Sequence, residues 1–217
     1  MDPQFWLTHW ETQDRHGFHQ DRVHADLPRF ETTFLGGGPH RVLVPLCGKS
    51  VDLDWLVAAG HEVVGIELSP IAIQEIFHRL GARPTEDALG PFRRFRIGRA
   101  TVLCGDVFAA TPELLGEFDR VWDRAALVAL DAPRRGPYTA VLRALLRPGG
   151  RLLQNTFVYE QSVMDGPPWS VPEDELRKHY RGWAMRHLAR DVLTEGKFID
   201  RGLKRWTVDR WLLEKPN

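Results

Sequence analysis

The chain has 217 residues, enough for one well-buried domain, and no internal repeat divides it. Its 29 acidic and 29 basic residues cancel, so the composition gives no signal for binding nucleic acid or an anionic membrane surface. No apolar run reaches the roughly 18 residues of a membrane span, and the first residues lack a signal-peptide pattern. The two cysteines, Cys47 and Cys104, form no metal-binding pair. We therefore expect a cytoplasmic, monomeric protein with reduced thiols, no bound metal and no nucleic-acid or membrane partner.

The segment before the first predicted strand, residues 1–38, is rich in aromatic residues. Trp6 and Trp10 are one helical turn apart, so their side chains would share one face of a helix. Two interpretations remain open: the helix packs on the edge of a sheet, or it forms a lid that stacks on a cofactor and closes a pocket. Three histidines in this segment are too loosely spaced to favour a metal site: His16, His19 and His24.

Residues 41–69 predict a strand, a turn, a helix and a second strand in succession. Residues 42–46 are a short apolar run, the pattern of a parallel strand buried on both faces. Gly48 marks a sharp turn or a close approach of a ligand to the backbone. A second apolar run leads to Glu67, about 20 residues after the turn, the spacing at which a carboxylate binds ribose hydroxyls in a doubly wound sheet. The stretch therefore predicts a cofactor that contains a nucleoside.

The identity of that cofactor follows from two phosphate-binding patterns that the turn lacks. A dinucleotide site needs G-x-G-x-x-G, and only Gly48 is present here. A P-loop would need glycine where Leu43 lies inside the strand. A ribose-binding carboxylate without a phosphate cradle suits S-adenosylmethionine, which has no phosphate and gives S-adenosylhomocysteine as product. The alternative is an exposed Glu67 that ends a structural helix–strand unit without binding a ligand.

The rest of the chain continues the alternation of helices and strands. Ser69 and Pro70 begin a helix that ends at Gly81, and residues 82–91 are interpreted as a polar loop. Further strands are predicted at 92–97, 101–104, 118–122 and 151–157, helices at 134–147 and 172–181, and two closing strands at 183–192 and 203–213. This pattern predicts an α/β fold with a mostly parallel sheet and with function at the carboxyl ends of its strands.

Two of these strand ends carry charged residues that each have two interpretations. Asp106 ends the third strand, where it would bind the amine of an adenine or cap the next turn. Asp123 and Arg124 end the fourth strand, where they would act in catalysis or form an internal ion pair. The pattern alone does not separate these interpretations.

Several motifs together resemble the thiopurine S-methyltransferase family. In chain order they are Phe5-Trp6, Trp10, Gly17-Phe18-His19-Gln20, residues 42–50, Gly60-His61, residues 64–69, residues 123–130 and Gly166-Pro167-Pro168. The similarity runs from about residue 5 to residue 213, with the motifs in the family's order. It implies a class I S-adenosylmethionine-dependent methyltransferase with a three-layer Rossmann-like α/β fold, a seven-stranded mostly parallel sheet and an N-terminal lid. The chain would then be one domain, with the lid at 1–38 and the core at 39–217.

The resemblance also implies roles for individual residues. The implied cofactor contacts are Trp6, Trp10, Leu46, Glu67, Asp106, Val107 and Arg124. The implied contacts of the methyl acceptor are Phe18, Trp169 and Lys197, and the implied catalytic residues are Asp123 and Arg124. Two positions depart from the family pattern and bear on the shape of the acceptor site: Trp169 stands where phenylalanine is usual, and His16 where bacterial relatives tend to have an aliphatic residue.

The implied reaction transfers the sulfonium methyl to the sulfur of an aromatic or heterocyclic thiol. Such thiols are largely thiolate near neutral pH, and thiolate is the nucleophilic form. An in-line displacement then needs positioning and no general base. Two alternatives remain open. One is a methyltransferase of the same fold acting on another small nucleophile: a selenium or tellurium species, a halide or a secondary-metabolite acceptor. The other is a protein that binds the cofactor without transferring its methyl.

Overall fold

The structure, a computed structural model, describes residues 3–12 and 20–217, apart from the side chain of Lys197. Its helices are α1 (Pro3–Glu11), α2 (Asp26–Phe34), α3 (Asp52–Ala58), α4 (Pro70–Leu80), α5 (Pro112–Leu115), α6 (Ala132–Leu145), α7 (Glu173–His179) and α8 (Lys197–Asp200). Its strands are β1 (Arg41–Pro45), β2 (Glu62–Glu67), β3 (Thr85–Leu89), β4 (Phe92–Ile97), β5 (Ala100–Cys104), β6 (Phe118–Asp123), β7 (Leu146–Val158), β8 (Ala184–Leu193) and β9 (Trp206–Glu214). Across these described ranges, no helix has both the length and the apolar character needed to cross a membrane.

All of these strands belong to one sheet, in the order β3-β4-β5-β2-β1-β6-β7-β9-β8. The central strands β5, β2, β1, β6 and β7 run parallel to one another. The last strand, β9, runs antiparallel to both of its neighbours, β7 and β8. The predicted α/β fold with a mostly parallel central sheet is confirmed.

The strand count differs from the prediction, because the described residues form nine strands where seven were expected. Strand β4 was predicted from the sequence at 92–97, whereas β3 lies within residues 82–91, so the interpretation of this segment as loop is wrong at 85–89. Ion pairs join β3 to β4, from Glu86 to Arg93 at 2.7 Å and from Asp87 to Arg94 at 2.6 Å. An edge strand needs no apolar face, and charged side chains protect its open edge. Hydrophobic periodicity therefore could not reveal β3.

Helices cover both faces of the sheet, which gives the predicted three layers. On β1, Val42 and Val44 pack in one core and Leu43 in the other, since successive side chains point to opposite faces of a strand. The first core is completed by buried residues of α2, α3 and α4, and the second by buried residues of α5, α6 and α7. Burial on both faces is the reason that the central strands read as unbroken apolar runs.

Helix α4 begins and ends at the residues that the sequence indicates. The hydroxyl of Ser69 accepts a hydrogen bond from the Ala72 amide at 3.4 Å, and Pro70 occupies the first turn. Gly81 ends the helix in the left-handed conformation, with φ of 60°. This helix follows β2 directly, so its start fixes the backbone that carries Glu67 to the carboxyl edge of the sheet.

Candidate functional site

A pocket lies at the carboxyl ends of the central parallel strands, and we call it the main pocket. Each of four strands contributes a residue at or just after its end: Leu46 after β1, Glu67 on β2, Asp106 after β5 and Arg124 after β6. Parallel strands bring their carboxyl ends to the same edge of a sheet, which is why residues distant in sequence meet there. All the cofactor contacts predicted from the sequence line this pocket: Trp6, Trp10, Leu46, Glu67, Asp106, Val107 and Arg124.

The carboxylate of Glu67 is buried and held in position by the backbone. The residue is 6% exposed, so the alternative of an exposed Glu67 is wrong. Its Oε2 accepts the Gly48 amide at 2.8 Å, and its Oε1 accepts the Ser69 amide at 2.7 Å. Burial raises the pKa of this carboxyl, and the backbone donors oppose that shift. A carboxylate has about four acceptor positions, more than the Ser69, Gly48 and Leu68 amides occupy, so Glu67 is a fixed acceptor suited to hydroxyl groups.

Two residues that line the main pocket have backbone conformations that are unfavourable for residues other than glycine. Leu46 has φ of 47° and Ala125 has φ of 62°. Each such conformation costs about 1–3 kcal/mol and persists where the surrounding structure requires it, often at functional sites. Leu46 precedes Gly48, which has φ of 53°, so the turn after β1 curls sharply beneath the pocket. Nothing in the sequence marks Leu46 or Ala125 as strained.

Asp106 has the capping role that was one of its two interpretations. Its Oδ1 accepts the Phe108 amide at 3.1 Å and so caps the short helical turn that begins at Val107. The side chain is exposed and also lines the main pocket, beside the buried Val107. Capping and a contact with a bound adenine are therefore compatible at this position.

Asp123 and Arg124 are adjacent in sequence but lie in different environments. Asp123 is completely buried and accepts hydrogen bonds from the Tyr138 hydroxyl at 2.7 Å and the Leu127 amide at 3.1 Å. It is not among the residues that line the main pocket. These contacts anchor the turn that presents Arg124. We therefore propose a structural role for Asp123, in place of the catalytic role predicted from the sequence.

The guanidinium of Arg124 is largely buried, and the carboxylates of Asp52 and Asp26 lie near it. Burial lowers its pKa, and the charges of Asp52 and Asp26 oppose that shift. Asp52 is itself fixed, since its Oδ2 accepts the Trp122 indole N–H at 2.9 Å and its Oδ1 accepts the His24 amide at 2.8 Å. A charge in such surroundings acts on a ligand more strongly than a charge in water.

A second pocket adjoins the main pocket and shares part of its wall. The shared residues are Gln20, Arg124, Ala125 and Ala129. The far wall is aromatic, because Phe157, Phe198 and Trp206 pack edge to face. The ring centroids of Phe157 and Trp206 are 5.2 Å apart, and those of Phe198 and Trp206 are 4.7 Å apart. Such a wall suits a flat aromatic ligand.

Three polar residues of the second pocket were not predicted as ligand contacts from the sequence. They are His24, Asn155 and Arg210, which surround the buried carboxylate of Asp26. Burial and the charge of Arg124 lower the pKa of His24, while Asp26 and Asp52 oppose this shift. The signal that could have found two of them is a polar residue within an apolar run, as Asn155 and Arg210 are within β7 and β9.

The three predicted acceptor contacts have different outcomes. Trp169 lies beside the second pocket but is not among its lining residues: its amide donates to the Val128 carbonyl at 2.6 Å, and its ring packs on Gly166. The loop contributes Pro167 and Pro168 to the pocket instead. Two further predictions lie outside the described residues, those on Phe18, with its neighbours His16 and His19, and on the side chain of Lys197. Within residues 3–12 and 20–217, no group of three or more His, Cys, Asp or Glu side chains is placed to hold a metal ion.

Helix α1 lines the main pocket with Trp6 and Trp10, and of its residues only Trp10 is buried. An element with so little buried surface opens at a low free energy. We expect S-adenosylhomocysteine to slow hydrogen exchange in α1 and to leave exchange in α2 unchanged, since Leu27 and Phe34 of α2 are buried in the core. Exchange in α1 that is equally slow with and without the ligand would show that both tryptophans belong to a permanent core.

Comparisons with known proteins agree with this geometry. The thiopurine S-methyltransferase family model matches residues 1–216. A thiopurine S-methyltransferase of Pseudomonas aeruginosa is 40% identical over 218 residues, 99% of this chain and 100% of the relative. One of Bordetella petrii is 41% identical over 206 residues, 94% of each chain. A solved structure of similar fold is the 1,6-didemethyltoxoflavin-N1-methyltransferase of Burkholderia thailandensis, with bound S-adenosylhomocysteine: the TM-score is 0.64 at 19% identity, over 99% of this chain and 87% of that chain.

Proposed function

Because the chain belongs to the thiopurine S-methyltransferase family, and so is an S-adenosylmethionine-dependent methyltransferase, we propose that it methylates the sulfur of an aromatic or heterocyclic thiol. The observation that carries this proposal is the junction of two pockets of different character at Arg124. One pocket contains a fixed carboxylate for a ribose, and the other contains an aromatic wall for a flat substrate.

The residues of the main pocket fit S-adenosylmethionine. Glu67 is a buried acceptor for ribose hydroxyls, and Asp106 and Val107 provide a polar and an apolar contact for the adenine. Trp6 and Trp10 cover the pocket from α1. The Gly48 amide donates its hydrogen bond to Glu67 and is not available to a phosphate. The turn therefore suits a cofactor without phosphate. When bound, the cofactor supplies an electrophilic methyl group on a sulfonium.

The chain's own contribution to the reaction is to bind and orient the thiol. We propose that the substrate ring lies against Phe157, Phe198 and Trp206, with its sulfur directed toward the wall that the two pockets share. Arg124 then holds the anionic sulfur by its charge. An aromatic thiolate carries no proton on sulfur, so no side chain has to remove one. Positioning two reacting groups in this way accounts for large rate enhancements without acid–base chemistry.

The function is tested by methyl transfer from radiolabelled S-adenosylmethionine to a panel of aromatic and heterocyclic thiols. Phenols and amines of matched size serve as controls, together with iodide. We expect transfer to the thiols and little to the controls. Transfer mainly to a control would show that this protein methylates another nucleophile. Tight binding of the cofactor without transfer to any substrate would show that the protein binds the cofactor without catalysing transfer.

We also propose that residues 1–217 act as one domain with residues 1–38 as its lid, and that the protein works in the cytoplasm as a monomer without a nucleic-acid or membrane partner. The single sheet supports one domain. The balanced charge supports a protein without a nucleic-acid or membrane partner. A sedimentation mass of one chain, 24.9 kDa, is expected, and a mass of two chains would contradict it.

A further inference from the structure

Arg210 is a buried arginine whose hydrogen-bonding capacity is only partly used. It lies on β9, is 8% exposed and lines the second pocket. Its Nε donates to Asp26 Oδ2 at 2.9 Å, and its Nη1 donates to the Val208 carbonyl at 2.9 Å and lies 2.6 Å from Asp191 Oδ2. A guanidinium has five N–H donors, two of them on each terminal nitrogen. Among the described residues, Nη2 has no hydrogen-bond acceptor.

The guanidinium of Arg210 is held rigidly by its partners. Asp26 is 2% exposed, and its Oδ2 also accepts the Asn155 Nδ2 at 2.9 Å. Asn155 and Arg210 lie directly opposite each other in the antiparallel pair of β7 and β9. A planar guanidinium fixed by two carboxylates and a carbonyl loses little conformational entropy when it binds a further group. Its remaining edge is therefore a preorganised donor.

The charge of Arg210 is already compensated by Asp26 and Asp191, which are both within ion-pair distance. Within the described part of the chain, Nη2 of Arg210 thus has N–H donors without an acceptor, and the charge of this arginine is balanced. A third carboxylate here would be repelled by the two that are present. A neutral acceptor, such as a carbonyl oxygen or an unprotonated ring nitrogen, would satisfy the donors without that repulsion.

We propose that Arg210 determines substrate specificity by donating hydrogen bonds from Nη2 to a neutral acceptor atom on the ring of the thiol substrate. This inference rests on the function proposed above and narrows the substrate class to aromatic or heterocyclic thiols that carry such an atom. A thiol without it leaves buried N–H donors unpaired, and unpaired buried donors discriminate strongly between substrates of equal size.

The first test needs no variant. It compares 4-acetylbenzenethiol with 4-isopropylbenzenethiol, which are similar in size but differ in that only the first has a carbonyl oxygen, and it includes the 3-substituted pair to test the acceptor atom at a second ring position. Binding to the complex with S-adenosylhomocysteine is measured by calorimetry at a pH where both thiols are thiolates. We expect at least one acetyl isomer to bind about tenfold or more tightly than its isopropyl partner. Equal binding in both pairs would overturn the proposal.

The second test assigns the effect to Arg210. Arg210→Lys keeps a positive charge beside Asp26 but removes Nη2, and Arg190→Lys is the matched control. Arg190 pairs with Asp209 on the same two strands and does not line the second pocket. We expect Arg210→Lys to reduce the acetyl-to-isopropyl ratio in binding and in kcat/KM about tenfold, and Arg190→Lys to leave it unchanged. Because each ratio compares the two thiols in the same protein, differences in intrinsic thiol reactivity cancel between variants.

The remaining outcomes separate this inference from the proposed function. A ratio that is unchanged in a folded Arg210→Lys protein would remove Arg210 from substrate recognition and leave the methyltransferase function intact. Selective binding of the acetyl thiols without methyl transfer would support the role of Arg210 and contradict the proposed function. If Arg210→Lys weakened the binding of 4-mercaptobenzoate more than that of the acetyl thiols, Arg210 would recognise an anion. The proposal of a neutral acceptor would then be wrong.

Discussion

Replacing Arg124 with alanine is expected to lower kcat/KM for an acidic aromatic thiol about 100-fold, the size of effect that a small misplacement of reacting groups produces. Arg124 is the charged residue that both pockets share, and its partly buried guanidinium acts on an anionic sulfur at short range. The variant should lose activity through binding and orientation. Arg147→Ala is the matched control, because Arg147 pairs with Asp119 away from both pockets and half of its side chain is exposed.

The same variant tests the mechanism through its pH dependence. If the thiolate is the reacting form and the enzyme removes no proton, the pH profile of kcat/KM follows the thiol pKa of each substrate. The profile should shift when a less acidic thiol replaces a more acidic one. Arg124→Ala should lower the whole profile without moving its midpoint, since arginine stays protonated throughout this range.

The opposite result would establish a base on the enzyme. An apparent pKa that stays constant across substrates and disappears in one variant, such as Asp123→Asn or His19→Ala, would contradict the thiolate mechanism. For Asp123 we expect a loss of stability instead, because its carboxylate accepts the Tyr138 hydroxyl and the Leu127 amide in the core. Thermal unfolding of Asp123→Asn, measured beside its activity, separates the two roles.

Replacing Glu67 with alanine should weaken the binding of S-adenosylmethionine and S-adenosylhomocysteine by about 1.5–3 kcal/mol, the range for a hydrogen bond to a charged group. The carboxylate is buried at the end of β2. In the variant, water therefore does not easily take over its hydrogen bonds to the ligand. Glu62→Gln is the control, at the exposed beginning of the same strand. Calorimetry that shows wild-type affinity in Glu67→Ala would remove this residue from the binding site.

Part of the effect of Glu67→Ala could come from the turn, because the Gly48 and Ser69 amides lose their acceptor. Analogues of S-adenosylhomocysteine that lack the 2′- or the 3′-hydroxyl separate the two contributions. In the wild type, at least one analogue should bind more weakly than the parent ligand. In Glu67→Ala, that difference should largely disappear. A difference that persists unchanged would mean that Glu67 supports the turn and does not contact the ribose.

The central unit of the fold could be predicted because its signals are local. The apolar run of β1, the turn at Gly48 and the run that ends at Glu67 lie within one continuous stretch, and each element has its own periodicity. Once parallel strands were inferred, Asp106 and Arg124 followed as residues at the same sheet edge, since every parallel strand ends there. The spacing of Trp6 and Trp10 left a lid over the cofactor as one of two interpretations, and the resemblance to a family favoured that one.

Other parts of the site could not be predicted, because they depend on contacts between distant segments. The sequence placed Asp123 and Arg124 together at a strand end, yet successive side chains point to opposite sides of a strand, and only the packed layers decide which of them is buried. The charged strand β3 was missed because edge pairing, and not an apolar pattern, holds it in the sheet.

The sequence by itself therefore determined the α/β class, the mostly parallel sheet and the carboxylate at the end of β2, since these follow from short-range periodicity and from the direction of parallel strands. Only the tertiary structure decided that the site consists of two adjoining pockets. The second pocket depends on the register of β7 against β9, which places Asn155 opposite Arg210 and brings both to Asp26 of α2. That register is set by the packing of strands far apart in the chain, and no local pattern of residues encodes it.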